Sequence, residues 1–348
     1  MPASGRRHDV SELPVNEPVE QDESVSTSPA GHGRRSKVAV VGAGAVGSTL
    51  AYACTLRGSA REVALFDQDD AKVRAQALDI AHGIAFTPMG TVRGSSEVEV
   101  CAGADIVVVT AGAKQKPGQS RLDLAGATID IMRDLLPRLV AVAPHATYIM
   151  VANPVDVVTY AGLRISGIPA HRFFGSGTVL DTSRLRYLVA RECGVAVQNV
   201  HAYIVGEHGD SEIPLWHSAM IGAVPLLEWA SRSGSDHVLD VAAREAIARD
   251  VVSSAYQIIA GKGATNFAVG VAVARIIEAV LRDEHRVLSV STELHDYLGI
   301  GDVCLSVPCV VGWRGVGRQL VPEVSADELE GLRASAEQVR AVARRFGL

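Results

Sequence analysis

The stretch Lys37-Val-Ala-Val-Val-Gly42-Ala-Gly44-Ala-Val-Gly47-Ser-Thr-Leu50 decides the fold. Val38 to Val41 is a β-branched run that reads as a strand, and the small and apolar residues after Gly44 open a helix, so the glycines stand in the turn between. G-x-G-x-x-G carries meaning only in that setting. There Gly42 makes the tight turn, Gly44 admits a pyrophosphate close to the backbone, and Gly47 lets helix pack on strand. Phosphate charge then lies over the helix N-terminus, where Ala45 and Val46 stand. Twenty residues after Gly47, Asp67 ends a second strand-like run, Val63–Phe66. At that spacing a carboxylate accepts both ribose hydroxyls of an adenosine and repels a 2′-phosphate, so NAD is expected rather than NADP. Lys72 and Lys114 are assigned to the same site. A βα turn without a ligand would also use these glycines, and Asp67 decides against it.

Outward from this stretch, Val63–Phe66, Ile106–Thr110 and Thr147–Val151 are further short apolar runs, each followed by a candidate helix. The alternation predicts βαβ units and therefore an α/β fold with a Rossmann-type doubly wound parallel sheet, placed at residues 37–180. A mixed α+β substrate domain is expected over 181–348, mostly helical, with helices at Thr182–Cys193 and around Asp240–Ala260. Ser325-Ala-Asp-Glu328 is a capping box, and Leu329, Leu332, Ala336, Val339, Ala343 and Phe346 share one face of a closing helix. Residues 1–36 are poor in aliphatic side chains and read as a disordered tail.

Composition excludes several classes. A chain of 348 residues with 48% hydrophobic content suits a soluble protein of two domains, and a net charge of −6 supplies no basic surface for nucleic acid. Val38 to Leu56 is 19 residues without a charge. The glycines inside it break it into strand, turn and helix, so no membrane span is expected. Met1 to Ser36 has no apolar core for an export signal, and its six acidic residues disfavour a transit peptide. The five cysteines, Cys54, Cys101, Cys193, Cys304 and Cys309, are scattered with no C-x-x-C, which predicts no disulfide framework, no metal site and a reducing cytoplasm.

Gly206-Glu-His208-Gly-Asp-Ser211 sets a histidine in a glycine-flanked loop after the strand-like Tyr203–Val205. Such a histidine can approach a substrate and titrates near working pH, which suits general acid–base work better than a core role. Further segments complete a pattern: Val109 to Leu124, Val151-Ala-Asn-Pro-Val-Asp156, Gly177-Thr-Val-Leu-Asp-Thr-Ser-Arg184 and Lys262-Gly-Ala-Thr265. With the glycine fingerprint and the His208 loop, in this order, they resemble the L-lactate dehydrogenases of the lactate/malate dehydrogenase family from Lys37 to about Phe346.

The resemblance implies reversible hydride transfer between NADH and pyruvate giving L-lactate, the last step of fermentative glycolysis, in a homotetramer. His208 becomes the proton donor and acceptor, and Asp181 holds its imidazole and raises its pKa. Asp181 is alternatively the N-cap of a helix starting at Thr182. Arg184, three residues on, grips the substrate carboxylate with a planar guanidinium. Arg121 polarises the carbonyl, Asn153 hydrogen-bonds near it as well as lining the cofactor site, and Gln115 and Thr265 belong to the substrate pocket. Gly112 to Ser120 corresponds to a lid.

Two places depart from the family pattern: the stretch Ala125 to Thr128, where larger polar residues are usual, and Asn266, where an aromatic is usual. The first is expected to loosen the helix that anchors the lid, the second to reshape the pocket wall. Arg186 and His201 resemble, in spacing and context, the effector residues of bacterial lactate dehydrogenases activated by fructose 1,6-bisphosphate, which implies such a site on a two-fold axis. Malate dehydrogenase is the nearest alternative. Its arginine would stand at position 115, where this chain has a neutral Gln that leaves a second substrate carboxylate unpaired. NAD-dependent glycoside hydrolases share the dinucleotide fold but need a Cys/His metal cluster that the sequence lacks. A non-catalytic scaffold would have no use for His208, Asp181, Arg184 and Arg121 together.

Overall fold

The computed structural model describes residues 36–113, 121–236 and 238–348, with Arg121 and Leu122 given by backbone alone. In the first half β1 (Lys37–Val41), α1 (Ala45–Arg57), β2 (Glu62–Phe66), α2 (Asp70–His82) and β3 (Thr91–Ser95) are followed by β4 (Ile106–Val109), α3 (Arg121–Val142), β5 (Thr147–Met150), α4 (Val155–Ser166) and β6 (Phe173–Gly175). The six strands pair in parallel in the order β6-β5-β4-β1-β2-β3. Winding reverses between β1 and β4, so a crevice opens at their carboxyl ends.

The β-branched runs are continuous because both faces of this sheet are covered. Along β1, Val38 and Val40 join a core with Leu50 of α1, whereas Ala39 and Val41 join another with Met132 and Leu136 of α3. This part of the expected fold is observed, strand for strand, at the four runs read from the sequence.

The second half comprises α5 (Val179–Cys193), the two-residue strands β7 (Val200–His201), β8 (Ile204–Val205), β9 (Ile213–Pro214), β10 (Met220–Ile221) and β11 (Val224–Pro225), then α6 (Trp229–Ser233), α7 (Val241–Lys262), α8 (Phe267–Leu281), β12 (Arg286–Leu294), β13 (Val303–Gly312), β14 (Gly315–Gln319) and α9 (Ala326–Arg344). It is mixed α+β, but not mostly helical. β12, β13 and β14 extend the same sheet by antiparallel pairing, joined to β6 where Ser291 meets Gly175. β13 is apolar and buried on both faces almost throughout, and periodicity cannot tell such a run from a buried helix.

α9 begins with the expected capping box between Ser325 and Glu328 and buries Leu332, Ala336, Val339 and Ala343. The Glu328 carboxylate also accepts the backbone N–H groups of Trp216 and His217. No helix among the described residues is long and apolar enough to cross a membrane. The 1–36 segment lies, but for Ser36, outside the described residues.

Candidate active site

The crevice at β1 and β4 holds a cavity of about 770 Å³ lined by Gly42, Gly44, Ala45, Val46, Asp67 and Lys72, among others, and reaching Asn153. Cofactor clefts run to roughly 300–1,000 Å³, so a dinucleotide is of the right size. Gly42 has φ +102°, and a Cβ on Gly47 would stand 1.8 Å from the Gly42 carbonyl oxygen. Neither position accepts a side chain. Around a Cβ on Gly44 there is nothing within 4 Å, which leaves open space over the amino end of α1 for a phosphate. Thr110 locks the turn by donating its hydroxyl to the carbonyls of Val41 and Gly42, both at 3.0 Å.

Asp67 stands at the end of β2. Its Oδ2 accepts from the Ala43 N–H at 2.7 Å and meets Lys72 Nζ at 2.7 Å. Burial pushes the Asp67 carboxyl up, but the hydrogen bond from Lys72 and those from the Asp69 and Ala43 backbone more than offset it and hold it below its ordinary value. A charged carboxylate is therefore present where an adenosine ribose would lie, and the residues fit NAD.

Across the sheet, Thr178 is the N-cap of α5, fixed by donating its hydroxyl to the Ile204 carbonyl at 2.6 Å. Asp181 consequently sits in the first helical turn and does not cap a helix beginning at Thr182, which corrects that reading. A carboxylate in a first turn is favoured by the helix dipole. Its Oδ1 accepts from Arg184 Nη1 at 2.6 Å, and its Oδ2 lies 2.5 Å from His208 Nδ1. Burial raises the Asp181 carboxyl, while the charge and hydrogen bond of His208, and then the charge of Arg184, bring it below the ordinary value.

His208 stands in the loop after β8. Gly206 turns the chain at φ +90° and exchanges backbone hydrogen bonds with Ser306 of β13. The His208 N–H donates to Asp156 Oδ2 at 2.7 Å, and Ser291 of β12 donates to Asp156 Oδ1 at 2.6 Å. Ser335 of α9 accepts the Glu207 N–H at 2.8 Å and lies 3.0 Å from the Ser211 hydroxyl. Burial alone would lower the imidazole. The Asp181 charge and hydrogen bond outweigh it, with help from Asp156 and Glu212, and raise His208 to about 9. Asp156 is itself pushed up by burial to about 6, against the hydrogen bonds it accepts. With Nδ1 held by Asp181, the proton of His208 available to a substrate is the one on Nε2.

The structure thus brings His208, Asp181 and Arg184 together, and places Asn153 at the cofactor cavity. Gln115 and Lys114 lie outside the described residues, as does the side chain of Arg121, whose backbone begins α3. Thr265 lies in the turn between α7 and α8. Asn266 donates to Thr49 Oγ1 of α1 at 2.9 Å and accepts from Lys262, so it ties the start of α8 to the cofactor helix. Gly126 faces the Phe346 ring, 3.0 Å from where its Cβ would stand, and Thr128 bridges Ala113 and Asn153. The small residues of α3 allow close packing there. Arg186 donates to the Ala202 carbonyl and stacks over Tyr203, beside the exposed His201.

Sequence reasoning missed Asp156, Ser291, Ser335, Thr110 and Glu212. Asp156 and Thr110 lay inside quoted motifs, and the others carry no local signal. Glu212, with Asp181 and His208, forms the one carboxylate–histidine group among the described residues compact enough for a metal, within 4.8 Å. Asp181 is already engaged by the Arg184 cation and by His208, so the arrangement is built to hold a proton.

A dinucleotide crevice within reach of a histidine on a buried carboxylate and an arginine defines the class: an NAD-dependent oxidoreductase with its own acid–base group. Residues 36–175 match the family model for the lactate/malate dehydrogenase NAD-binding domain, and 178–345 match its α/β C-terminal domain. The chain belongs to the lactate/malate dehydrogenase family. It is 54% identical over 312 residues to an L-lactate dehydrogenase of Bifidobacterium animalis subsp. lactis, covering 90% of this chain and 97% of that one. It is 42% identical to an L-lactate dehydrogenase of Synechococcus sp., over 88% of this chain and 98% of the relative. Among solved structures, a ligand-bound minor L-lactate dehydrogenase from Enterococcus mundtii is similar at TM-score 0.85 and 36% identity, over 89% of this chain and 98% of that one.

Proposed function

We propose that this chain is an NAD-dependent L-lactate dehydrogenase, interconverting pyruvate and L-lactate at the end of fermentative glycolysis. The observation that carries this reading is the Asp181 carboxylate, which holds His208 through one oxygen and Arg184 through the other. NADH held at the Gly42–Gly47 turn and Asp67 would supply the hydride that the pyruvate carbonyl carbon accepts. His208 supplies the proton to the oxygen from Nε2 and is left neutral, and Asp181 keeps it protonated until then. Arg184 pairs with the substrate carboxylate and fixes which face of the carbonyl is presented. Arg121 stabilises the charge that develops on oxygen, and Asn153 and Thr265 complete the pocket. Asp67, paired with Lys72, takes the adenosine ribose, the glycine turn takes the pyrophosphate, and Lys114 is assigned to the same cofactor. In reverse, neutral His208 accepts the hydroxyl proton of lactate.

The reading extends to a cytoplasmic homotetramer in which Arg186 and His201 bind fructose 1,6-bisphosphate. Both belong to one small region, since Arg186 bonds to the residue after His201. Five free, buried thiols suit a reducing compartment.

The test is NADH oxidation with pyruvate and with oxaloacetate, with and without millimolar fructose 1,6-bisphosphate. Pyruvate is expected to exceed oxaloacetate by orders of magnitude in kcat/KM, because neutral Gln115 pairs no second carboxylate. Preference for oxaloacetate would make the chain a malate dehydrogenase. Unchanged pyruvate saturation with the bisphosphate would remove the effector.

A further inference from the structure

Glu212 enters β9 immediately after the His208 loop, and no step above uses it. Its carboxyl lies within 4.8 Å of the functional atoms of Asp181 and His208, and its Oε1 is shut off from solvent with no hydrogen-bond partner among the described residues. A buried carbonyl oxygen without a donor is a modest cost; a buried carboxylate oxygen without one is a large cost. The charged groups that face it are Asp181 and Arg184 of α5 and His208 and Asp210 of the loop after β8. Arg184 already serves Asp181.

We propose that Glu212 sets the charge of the substrate pocket: as a neutral acid it leaves Arg184 and His208 to a substrate carboxylate, and when ionised it competes with that anion for them. The inference rests on the 2-oxo acid reading above. Burial, and then the Asp181 charge, push Glu212 to about 8, so the exchange falls within reach of experiment. Placing an anion on Arg184 adds negative charge beside Glu212 and favours its protonated form further. By linkage, anion binding above this pH takes up a proton at Glu212, in addition to the one that His208 must carry. Both groups weaken anion binding as pH rises, Glu212 by gaining a negative charge near 8 and His208 by losing a positive one near 9.

The probe is oxamate, a pyruvate isostere, binding to the complex with NADH between pH 6 and 10, for wild type and Glu212→Gln. At pH 6 both side chains are neutral and the two proteins are expected to bind alike. At pH 9, about one unit above the Glu212 value, wild type should have weakened roughly tenfold more than the variant. Calorimetry at pH 8.5 in two buffers should show the larger proton uptake in wild type. Parallel pH curves, or a variant already tenfold weaker at pH 6, overturn the proposal. Wild type alone also decides it: above pH 9, log Kd must rise by more than the roughly one decade per pH unit that a single group gives. If neither protein binds oxamate, the substrate reading itself has failed.

Discussion

The two ends of the site are built in opposite ways. At the cofactor end, Gly42, Gly44, Gly47 and Asp67 come from a single strand–helix–strand unit, and the contact closing it, from the Ala43 N–H to Asp67, spans 24 positions. At the catalytic end, the His208 N–H reaches 52 positions to Asp156, Asp156 reaches 135 to Ser291, and Glu207 reaches 128 to Ser335. A locally encoded site is specified by its own turn and needs only room above it. The catalytic end exists only once α4, α5, β12 and α9 have all docked, and it gains in return a buried carboxylate that no exposed loop could supply. Damage to the two ends should therefore look different.

The largest effect is expected at His208. His208→Gln keeps a polar side chain in the loop but removes the transferable proton, so kcat/KM for pyruvate should fall by about 10²–10⁴ while NADH binding stays near wild type. Loss of NADH binding as well, measured by fluorescence titration, would show that the ends are not separable. Next is Asp181→Asn, which removes the charge that raises His208 to about 9. The folded imidazole value lies above the ordinary one, so the imidazolium that pyruvate reduction needs persists to about that pH and is lost above it, in addition to the weaker binding that Glu212 brings from about pH 8. With Asn the alkaline limb of kcat/KM should move down by about 1–3 units. An unmoved limb would assign it to another group.

The same contrast explains what could be read before any coordinates. The strand–turn–helix at 37–57 and the capping box of α9 are local patterns, and both stand as read. β12 and β13 are not local patterns, since a run such as Val303 to Leu305, Val307, Cys309 and Val311 is apolar whatever its conformation. β12 pairs with β6, and β13 joins the sheet only through β12, a pairing that no local pattern announces. His208 and Arg184 were visible through motif resemblance. Asp156 and Ser335 became visible only through register, because one buried acid among many and one serine among many have no distinguishing neighbours in sequence.

At the cofactor end, Asp67→Ser should change one preference and little else. Removing the carboxylate leaves a 2′-phosphate unrepelled and frees Lys72, now paired to Asp67 at 2.7 Å, to meet it. The NADH/NADPH ratio of kcat/KM should narrow by about tenfold, the equivalent of roughly 1.4 kcal/mol. The pyruvate pH profile should not move. A shifted profile would mean that Asp67 acts on the distant histidine and would dissolve the contrast.

The smallest effect separates position from chemistry. Ser335 is fully buried on α9, touches no substrate in this reading, and fixes the His208 loop through the Glu207 N–H and the Ser211 hydroxyl. Ser335→Ala leaves that half-buried N–H without its acceptor, a loss of about 0.5–1.5 kcal/mol in stability that lowers Tm. If α9 only closes the core, activity per folded molecule should be unchanged. The geometry argues otherwise, because the N–H that Ser335 holds belongs to the residue preceding His208, and a displaced imidazole pays first in proton transfer. We therefore expect kcat for pyruvate to fall a few-fold with KM for NADH unaltered. His208 should retain its alkaline limb near 9, since Asp181 is untouched. A loss confined to Tm would leave α9 a structural lid on a site that needs no help from it. A loss in NADH affinity instead would mean that the long-range contacts of the catalytic end also shape the cofactor crevice.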